Sequence, residues 1–516
     1  MRAVLWKTHR WLGMVALVGV LMWGLSGVMH PIMSRLQPVP AQFMPPRLVW
    51  SPAEAPNPSA RLHALGLRDV HSLHSVTLHG QAHWLTHKDT ARPGVLINAR
   101  TGEVVPDGER LLAEALARHY SGLPDTPVLG TRLLTRFDDH YSAVNRLLPV
   151  WEVRFARDDG LRAYIDTRQM RLATLTDHTR HTLSSVFQWA HNWHFLAAWP
   201  WLQRAVMSAI LLAAATSAIT GLTFWWLLRP GATRRLAHRP WRRRHRRLGL
   251  LVALTSLSFA VSGAFHLWMK TIHTAPVSSQ VGSRVSPPEQ PLSLPSDAAW
   301  QRVQALGAVG RMDLLRNGQQ VAWWVQPPGT SGPKAQVAAL AHSHAPSADL
   351  HGERAGPWLV DADGQARQNA ESALAIALAA RHSGLPATNL HAATLVTRFG
   401  GEYGFLNKRL PVWRVSAAGP GHPRYYVELG TGALATRVDD LHALEGAVFS
   451  MLHKWQLGEL PKELRDALAA TAALANVGVA LIGFGLFWRR PQPLGNGERQ
   501  RSRTASRSGT MMGLGR

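Results

Sequence analysis

The chain of 516 residues contains no cysteine. That excludes disulfides, thiolate-ligated iron–sulfur clusters, zinc–thiolate sites and a cysteine nucleophile. Walker loops, nucleophile elbows and HExxH stretches are also missing. Gly430-Thr-Gly-Ala-Leu-Ala has the outline of a dinucleotide fingerprint, but no βαβ unit surrounds it and it lies in a turn, so no nicotinamide or flavin domain is expected. Acids are scarce: 32 Asp and Glu stand against 56 Lys and Arg, a net charge of +24. In a soluble chain that excess would point to nucleic acid. Here the basic residues cluster beside apolar spans, which fits the positive-inside rule, and no nucleic-acid partner is expected. What is abundant is histidine, 26 residues, and tryptophan, 21. With thiolates excluded, imidazole is the soft ligand left for a transition metal or haem iron.

One stretch organises the rest. KTHRWLGMVALVGVLMWGLSGVMHPIM (Lys7–Met33) returns in altered form as RRHRRLGLLVALTSLSFAVSGAFHLWM (Arg243–Met269). Each copy opens on His-Arg-x-Leu-Gly, runs through an apolar span and closes on Ser-Gly-x-x-His. The shared histidines are His9 and His30, then His245 and His266, 21 residues apart in both copies. At about 1.5 Å per residue the two stand about 31 Å apart along a helix, close to the thickness of a bilayer's hydrocarbon core. They also share a broad helical face. Two such helices suggest ligands for two stacked cofactors.

Four spans are long and apolar enough to cross a membrane: roughly Trp11–Met33, Trp199–Leu228, Leu248–Met269 and Leu464–Trp488. The first is read as a retained helix rather than a secretory signal, because it is about 20 residues long, no A-x-A-like site follows and its relative lies mid-chain. Tryptophans at span ends, including Trp11, Trp199, Trp226, Trp268 and Trp488, fit interfacial anchoring. The segment RPGATRRLAHRPWRRRHRR between the second and third spans holds nine Arg and no acid. With Arg2, Lys7 and Arg10 at the start and Arg489 and Arg490 after the last span, it places both termini and this loop in the cytoplasm. The long connections then lie in the periplasm of a Gram-negative cell.

Those connections also repeat. Thr135-Arg-Phe matches Thr397-Arg-Phe, and Leu148-Pro-Val-Trp matches Leu410-Pro-Val-Trp, both 262 residues on. His119-Tyr-Ser-Gly-Leu-Pro matches His382-Ser-Gly-Leu-Pro with one residue of slippage. ERLLAEALARHYSG and ESALAIALAARHSG have helical period and end on glycine. The alternating runs VWEVRFA and RAYIDT, then VWRVSAA and RYYVEL, read as strands. The second connection is longer, and the Pro/Gly/Ser-rich stretches 276–296 and 327–357 are where the extra length is expected.

The span–domain–span halves, the HRWLG opening, the Ser-Gly-x-x-His ending and the LPVW strand together resemble the PepSY-associated transmembrane family, over nearly the whole chain up to about residue 490. The resemblance implies a four-helix transmembrane bundle with two periplasmic α+β PepSY-like domains, built by parallel internal duplication, in a bacterial inner membrane. The expected partition is transmembrane helix 1 over 1–34, the first periplasmic domain over 35–185, and a surface helix with transmembrane helix 2 over 186–228. A cytoplasmic loop follows over 229–247, transmembrane helix 3 over 248–270 and the second periplasmic domain over 271–447. A surface helix with transmembrane helix 4 takes 448–488, and a basic cytoplasmic tail 489–516. Some members of the family are ferric-siderophore reductases with two b-type haems. The resemblance therefore implies an oxidoreductase that passes electrons to a periplasmic ferric chelate, fed by a membrane quinol or a cytoplasmic reductase. The alternatives are a cofactor-free membrane protein that binds a partner, in regulation or uptake, and a haem protein with another acceptor such as Cu(II).

Three histidine pairs occupy equivalent places in the two halves: His9 with His245, His30 with His266, and His191 with His453 in FQWAHNW and FSMLHKW. His9 and His245 are expected to ligate a haem near the cytoplasmic face. Either His30 with His266, His191 with His453, or one of each would hold the second. Gly13, Gly27, Gly249 and Gly263, on the same faces as histidines, would clear room for a macrocycle or for a neighbouring helix. Arg10 and Arg246 would neutralise propionates or anchor the helices. A run of His63, His71, His74, His79, His83 and His87, with His342, His344 and His351 in the longer connection, reads mainly as solvated loop and strand histidines, with capture of iron or copper ions as the other reading. His194 has Gln456 as its counterpart and so gains no support from symmetry.

Overall fold

The computed structural model describes residues 2–89, 91–227, 240–272, 292–317, 320–328, 356–456, 458 and 460–488. The tail, His342, His344, His351 and most of the two Pro/Gly/Ser-rich stretches and of the Arg-rich loop's first half lie outside the described residues. In chain order the α-helices are α1 (Arg2–Leu36), α2 (Pro58–Ala64), α3 (Gly108–Ser121), α4 (His178–His191), α5 (Pro200–Leu227), α6 (Pro240–Ile272), α7 (Asp297–Gln304), α8 (Glu371–Ser383), α9 (Asp440–Val448) and α10 (Lys462–Trp488). Four of them, α1, α5, α6 and α10, are long and apolar enough to cross a membrane. Between Arg10 and Arg35 in α1, after Arg204 in α5, between Arg247 and Lys270 in α6 and after Asp466 in α10, no side chain is charged. Each uncharged stretch exceeds the roughly 20 residues that a bilayer core requires.

The chain divides into two compact units. The first comprises residues 1–28, 196–264 and 468–516, and its described part is helical. Small residues let these helices approach. A Cβ at Gly19 would collide with Ile210 of α5, and one at Gly24 would come within 2.6 Å of Val477 of α10. Between α6 and α10, Asn476 donates to Thr255 Oγ1 at 2.9 Å and accepts from Ser256 Oγ, so its amide is satisfied inside an apolar setting.

The second unit, residues 29–195 and 265–467, carries the β-structure. One antiparallel sheet runs, in spatial order, Val128–Leu134, Val150–Phe155, Arg162–Asp166 and Arg171–Thr176. Another runs Leu390–Val396, Val412–Ala417, Arg424–Glu428 and Ala433–Val438. A helix packs on each. Leu112, Leu116 and Tyr120 form the buried stripe of α3, and Leu374 and Leu378 that of α8. Both helices stop at a glycine in the left-handed region, Gly122 at φ 69° and Gly384 at φ 71°, where any other residue would be strained. Gly430 and Gly432 sit in the hairpin turn between the last two strands of the second sheet and not at the strand-to-helix junction of a dinucleotide fingerprint.

The recurring motif residues have matching structural work. Tyr141 Oη donates to the Leu147 carbonyl at 2.8 Å and stacks on Tyr164. Tyr403 Oη donates to the Arg409 carbonyl at 2.8 Å and stacks on Tyr426. Phe137 and Phe399 of the two Thr-Arg-Phe motifs lie against these tyrosines. Both LPVW prolines, Pro149 and Pro411, follow cis peptide bonds.

A third sheet of eight strands joins material from both connections. Its order is Ala366–Gln368, Trp358–Asp361, Gln320–Val325, Met312–Asn317, Ser72–Leu78, Gln81–His87, Val95–Asn98 and Val104–Val105. The join lies where Asp313 faces His74. Both are buried; His74 Nδ1–H donates to Asp313 at 2.7 Å, and Arg311 donates to the same carboxylate. Burial alone would raise the Asp313 pKa, but Arg311 and His74 outweigh it and the carboxyl is held below its usual range. Trp84 and Trp323 of this sheet and Trp300 of α7 pack edge-on and tilted against one another in one core cluster.

Candidate functional site: paired imidazoles

In the helical unit, His9 of α1 and His245 of α6 come together, with ring centres 6.2 Å apart and planes at 60°. His9 Nδ1–H donates to the Ser217 carbonyl of α5 at 3.0 Å, with Thr220 Oγ1 a second acceptor at 3.3 Å. That fixes Nδ1 as the protonated nitrogen and leaves Nε2 with its lone pair for a metal. Two glycines make room for the rings. A Cβ at Gly221 of α5 would stand 3.1 Å from His9 Cε1, and one at Gly483 of α10 would stand 3.2 Å from His245 Cε1. Gly221 and Gly483 are 262 residues apart, as are Ser217 and Val479. His245 Nδ1 is buried against the backbone of Val479, the counterpart of Ser217, without a hydrogen bond of normal geometry.

Arg10 and Arg246 serve the helix ends. Arg10 donates to the Phe487 carbonyl of α10 at 2.9 Å and lies over the Phe487 ring. Arg246 donates to the Trp225 carbonyl of α5 at 3.4 Å. Cations at the last turn satisfy open carbonyls and meet the negative end of the helix dipole. These bonds meet the anchoring role, while Arg10 Nε is buried without a hydrogen-bond partner.

In the second unit, the last strand of each four-stranded sheet feeds a capped helix. Asp177 accepts from the Arg180 backbone N–H at the start of α4, and Asp439 accepts from that of His442 at the start of α9. A cap of this kind contributes about 1 kcal/mol. α4 runs regularly to His191. After α9 the chain widens into a π-helical turn, Phe449–His453, that ends on the matching histidine. The rings of His191 and His453 meet at 6.3 Å and 86°. Phe187 stacks on His191 at 4.6 Å and also meets His30, while Phe449 stacks on His453 at 4.6 Å and on His266 at 4.3 Å. The six rings thus follow one another as His30, Phe187, His191, His453, Phe449, His266. His30 and His266 are not in ring contact with each other. His266 Nδ1 donates to Glu445, which orients that imidazole; burial raises the Glu445 pKa, but this bond and the His266 charge outweigh it and leave the carboxyl below its usual range. Burial, with the charges of His30 and His266 adding to it, depresses His191 to about 4. Burial and then the charge of His191 depress His453 to about 3. Both rings are therefore neutral, the form that binds a metal.

Two imidazoles on opposite sides of one metal, each nitrogen about 2.0 Å from it, have ring centres about 6.4 Å apart. The 6.2 Å and 6.3 Å separations match that figure. Among the described residues no three His, Asp or Glu side chains converge to hold a bare metal ion. A pair of imidazoles suits a metal whose other four ligands come from a macrocycle, so the residues present fit two haems. The expected clearance glycines divide. A Cβ at Gly13, Gly249 or Gly263 would meet Ser217, Val479 or Leu211 of a neighbouring helix at 3.5, 3.9 or 3.6 Å, an ordinary contact, whereas one at Gly27 would have nothing within 4 Å.

The His-rich run does not converge. His74 binds Asp313, His87 Nε2–H donates to Glu109 at 2.9 Å and His83 donates to the Gln81 carbonyl, all from buried strand positions. His63 is on α2 and His79 in a turn at φ 52°. Phe187, Phe449, Gly221, Gly483 and Glu445 were not singled out from the sequence. The phenylalanines did carry a signal: each lies four residues before its histidine, on the same helical face, in both copies.

Compared with known proteins, the chain matches no family model, and no curated protein matches it.

Proposed function

We propose that the chain is a two-haem electron-transfer protein of a bacterial inner membrane, and that it reduces a ferric chelate in the periplasm. One observation carries the proposal: two separate histidine pairs, each with one member from either half of the chain, bring their rings to 6.2 Å and 6.3 Å, and these four imidazoles would hold the two haem irons. His9 and His245 hold the first haem, and His191 and His453 the second. The resemblance to the PepSY-associated transmembrane family, and an ancestry by parallel duplication, account for the paired ligands, the recurring Tyr, Phe and LPVW positions and the offset of 262 residues. The basic residues flanking the spans put the termini and the Arg-rich loop in the cytoplasm.

Haem held by two imidazoles supplies one-electron transfer. The chain's own residues do the rest. Ser217 keeps the His9 tautomer that presents Nε2. Gly221 and Gly483 leave the imidazoles room to reach the axis. Phe187 and Phe449 brace His191 and His453 by stacking and keep water from them. The electron comes from a quinol or a separate cytoplasmic reductase. Its transfer converts Fe(III) to Fe(II), whose weaker hold on hard oxygen ligands releases the metal.

Membranes from haem-replete cells producing the chain should be red, with a Soret band that shifts on dithionite. The reduced protein should be reoxidised in stopped flow by a ferric chelate. A colourless preparation, or a reduced protein indifferent to ferric chelates, overturns the reading.

A further inference from the structure

In the second unit α4 presents two faces. At about 100° per residue, its exposed side chains His178, Thr179, Thr182, Ser185, Val186 and Trp189 fall on one side. Phe187 and His191 fall on the other, where they meet His30 and His453. The outward side changes character along its length. It is polar through Ser185 and ends on Val186 and Trp189, the latter 56% exposed. Phe195, also exposed, meets the Trp189 ring at 5.3 Å. The second half repeats the arrangement. Leu444 of α9 is exposed, and so is Met451, the residue 262 positions after Trp189, at 49%. Phe449, two residues before Met451, turns inward to His266 and His453.

Ring contacts set the depth of these outward faces. His30 lies in the uncharged stretch of α1, five residues before Arg35, and His266 in that of α6, four residues before Lys270. Arg35 and Lys270 mark where the two spans leave the hydrocarbon. Phe187 meets His30 at 6.1 Å, and Phe449 stacks on His266 at 4.3 Å. The end of α4 and the π-helical turn therefore stand beside the outer ends of two spans, not clear of them. Trp189 is two residues past Phe187, about 3 Å along the helix axis, so it shares that level. Apolar side chains that face outward at this depth meet headgroups and the upper acyl chains, a boundary that tryptophan favours.

We propose that the end of α4, α9 and the π-helical turn are set into the outer leaflet of the bilayer, and that lipid covers Val186, Trp189, Phe195, Leu444 and Met451. The inference rests on the membrane placement above and not on haem. Each helix then has lipid on one side and imidazoles on the other, which holds the His191–His453 pair at the boundary between leaflet and periplasm.

The chain has no cysteine, so a single introduced cysteine can carry a nitroxide label with no other change. The full-length protein is labelled at Trp189→Cys or Met451→Cys, with Val186→Cys and Leu444→Cys as a second pair should either of the first fail to fold. In phosphatidylcholine vesicles, paramagnetic resonance then compares collisions with oxygen, which concentrates in lipid, and with a water-soluble nickel chelate. Thr179→Cys, on the polar part of α4, gives the value for water, and Leu254→Cys, exposed in the middle of α6, the value for the bilayer interior. The oxygen-to-nickel ratio at the test positions should fall between the two, several-fold above that at Thr179. Ratios equal to that at Thr179, with a lipid value at Leu254, overturn the lipid face and leave the spans standing. Labels shielded from both reagents show a protein partner or a second copy on this face and also overturn it. A water value at Leu254 overturns the membrane placement and the proposal with it. A colourless protein with the expected ratios upholds the lipid face and overturns the redox reading alone.

Discussion

Gly221 and Gly483 offer a direct probe of the His9–His245 pair, because each touches one imidazole without being a ligand. A Cβ at Gly221 would stand 3.1 Å from His9 Cε1, so Gly221→Ala asks for a shift of only a few tenths of an ångström. Gly221→Val asks for more. Its methyl groups reach about 1.5 Å beyond the Cβ, so the ring has to retreat by about 1 Å. A metal–imidazole bond of about 2.0 Å does not survive that displacement. The same reasoning applies to Gly483→Val and His245, where the Cβ would stand 3.2 Å away. Pyridine haemochrome assays on purified protein should therefore find full haem in both Ala variants and half the haem in each Val variant. The double Val variant should also retain half, because both changes act on one haem. A full complement in the Val variants, or loss of three quarters or more in the double, refutes the assignment of these glycines to one site.

Two predictions concern stability. Asp313→Ala strands the Arg311 guanidinium and the His74 N–H in a fully buried position, which should cost about 3–5 kcal/mol, read as a lower unfolding midpoint; Asp313→Asn, which keeps an acceptor, should cost less, and a loss below about 1 kcal/mol for Ala would contradict the joined sheet. Burial raises the Glu109 pKa, but bonds from His87, Thr167 and Gly94 outweigh it and bring the carboxyl from 4.5 down to about 2. A depressed carboxyl stabilises the fold above its unfolded value, so a contribution of about 3 kcal/mol should vanish as pH falls from 4.5 toward 2. Glu109→Gln should be less stable at neutral pH and show a flatter acid limb in denaturant titrations; an unchanged limb would remove Glu109 from the acid response.

The four spans were legible because long uncharged apolar runs have few other uses. The histidines stood out because His9, His30 and His191 recur in the second half, while His194 does not. What the pattern left open was which rings meet. That depends on helix rotation, which places Phe187 and Phe449 between the spanning histidines and the pair at His191 and His453. The eight-stranded sheet was hidden for a different reason. His74 and Asp313 are 239 residues apart, and their register is set by tertiary pairing rather than local period. Arg10 and Arg246 were ambiguous because positive-inside anchoring and carboxylate binding select the same residue. Gly221 and Gly483 were overlooked because glycine is common in membrane helices.

The haem-to-protein ratio, measured on wild type and four single variants, tests the paired imidazoles most directly. Two haems per chain are expected in the wild type, and one in each of His9→Ala, His245→Ala, His191→Ala and His453→Ala, with the surviving haem spectrally normal. A ratio near zero in the wild type, or near two in any of the four variants, contradicts it.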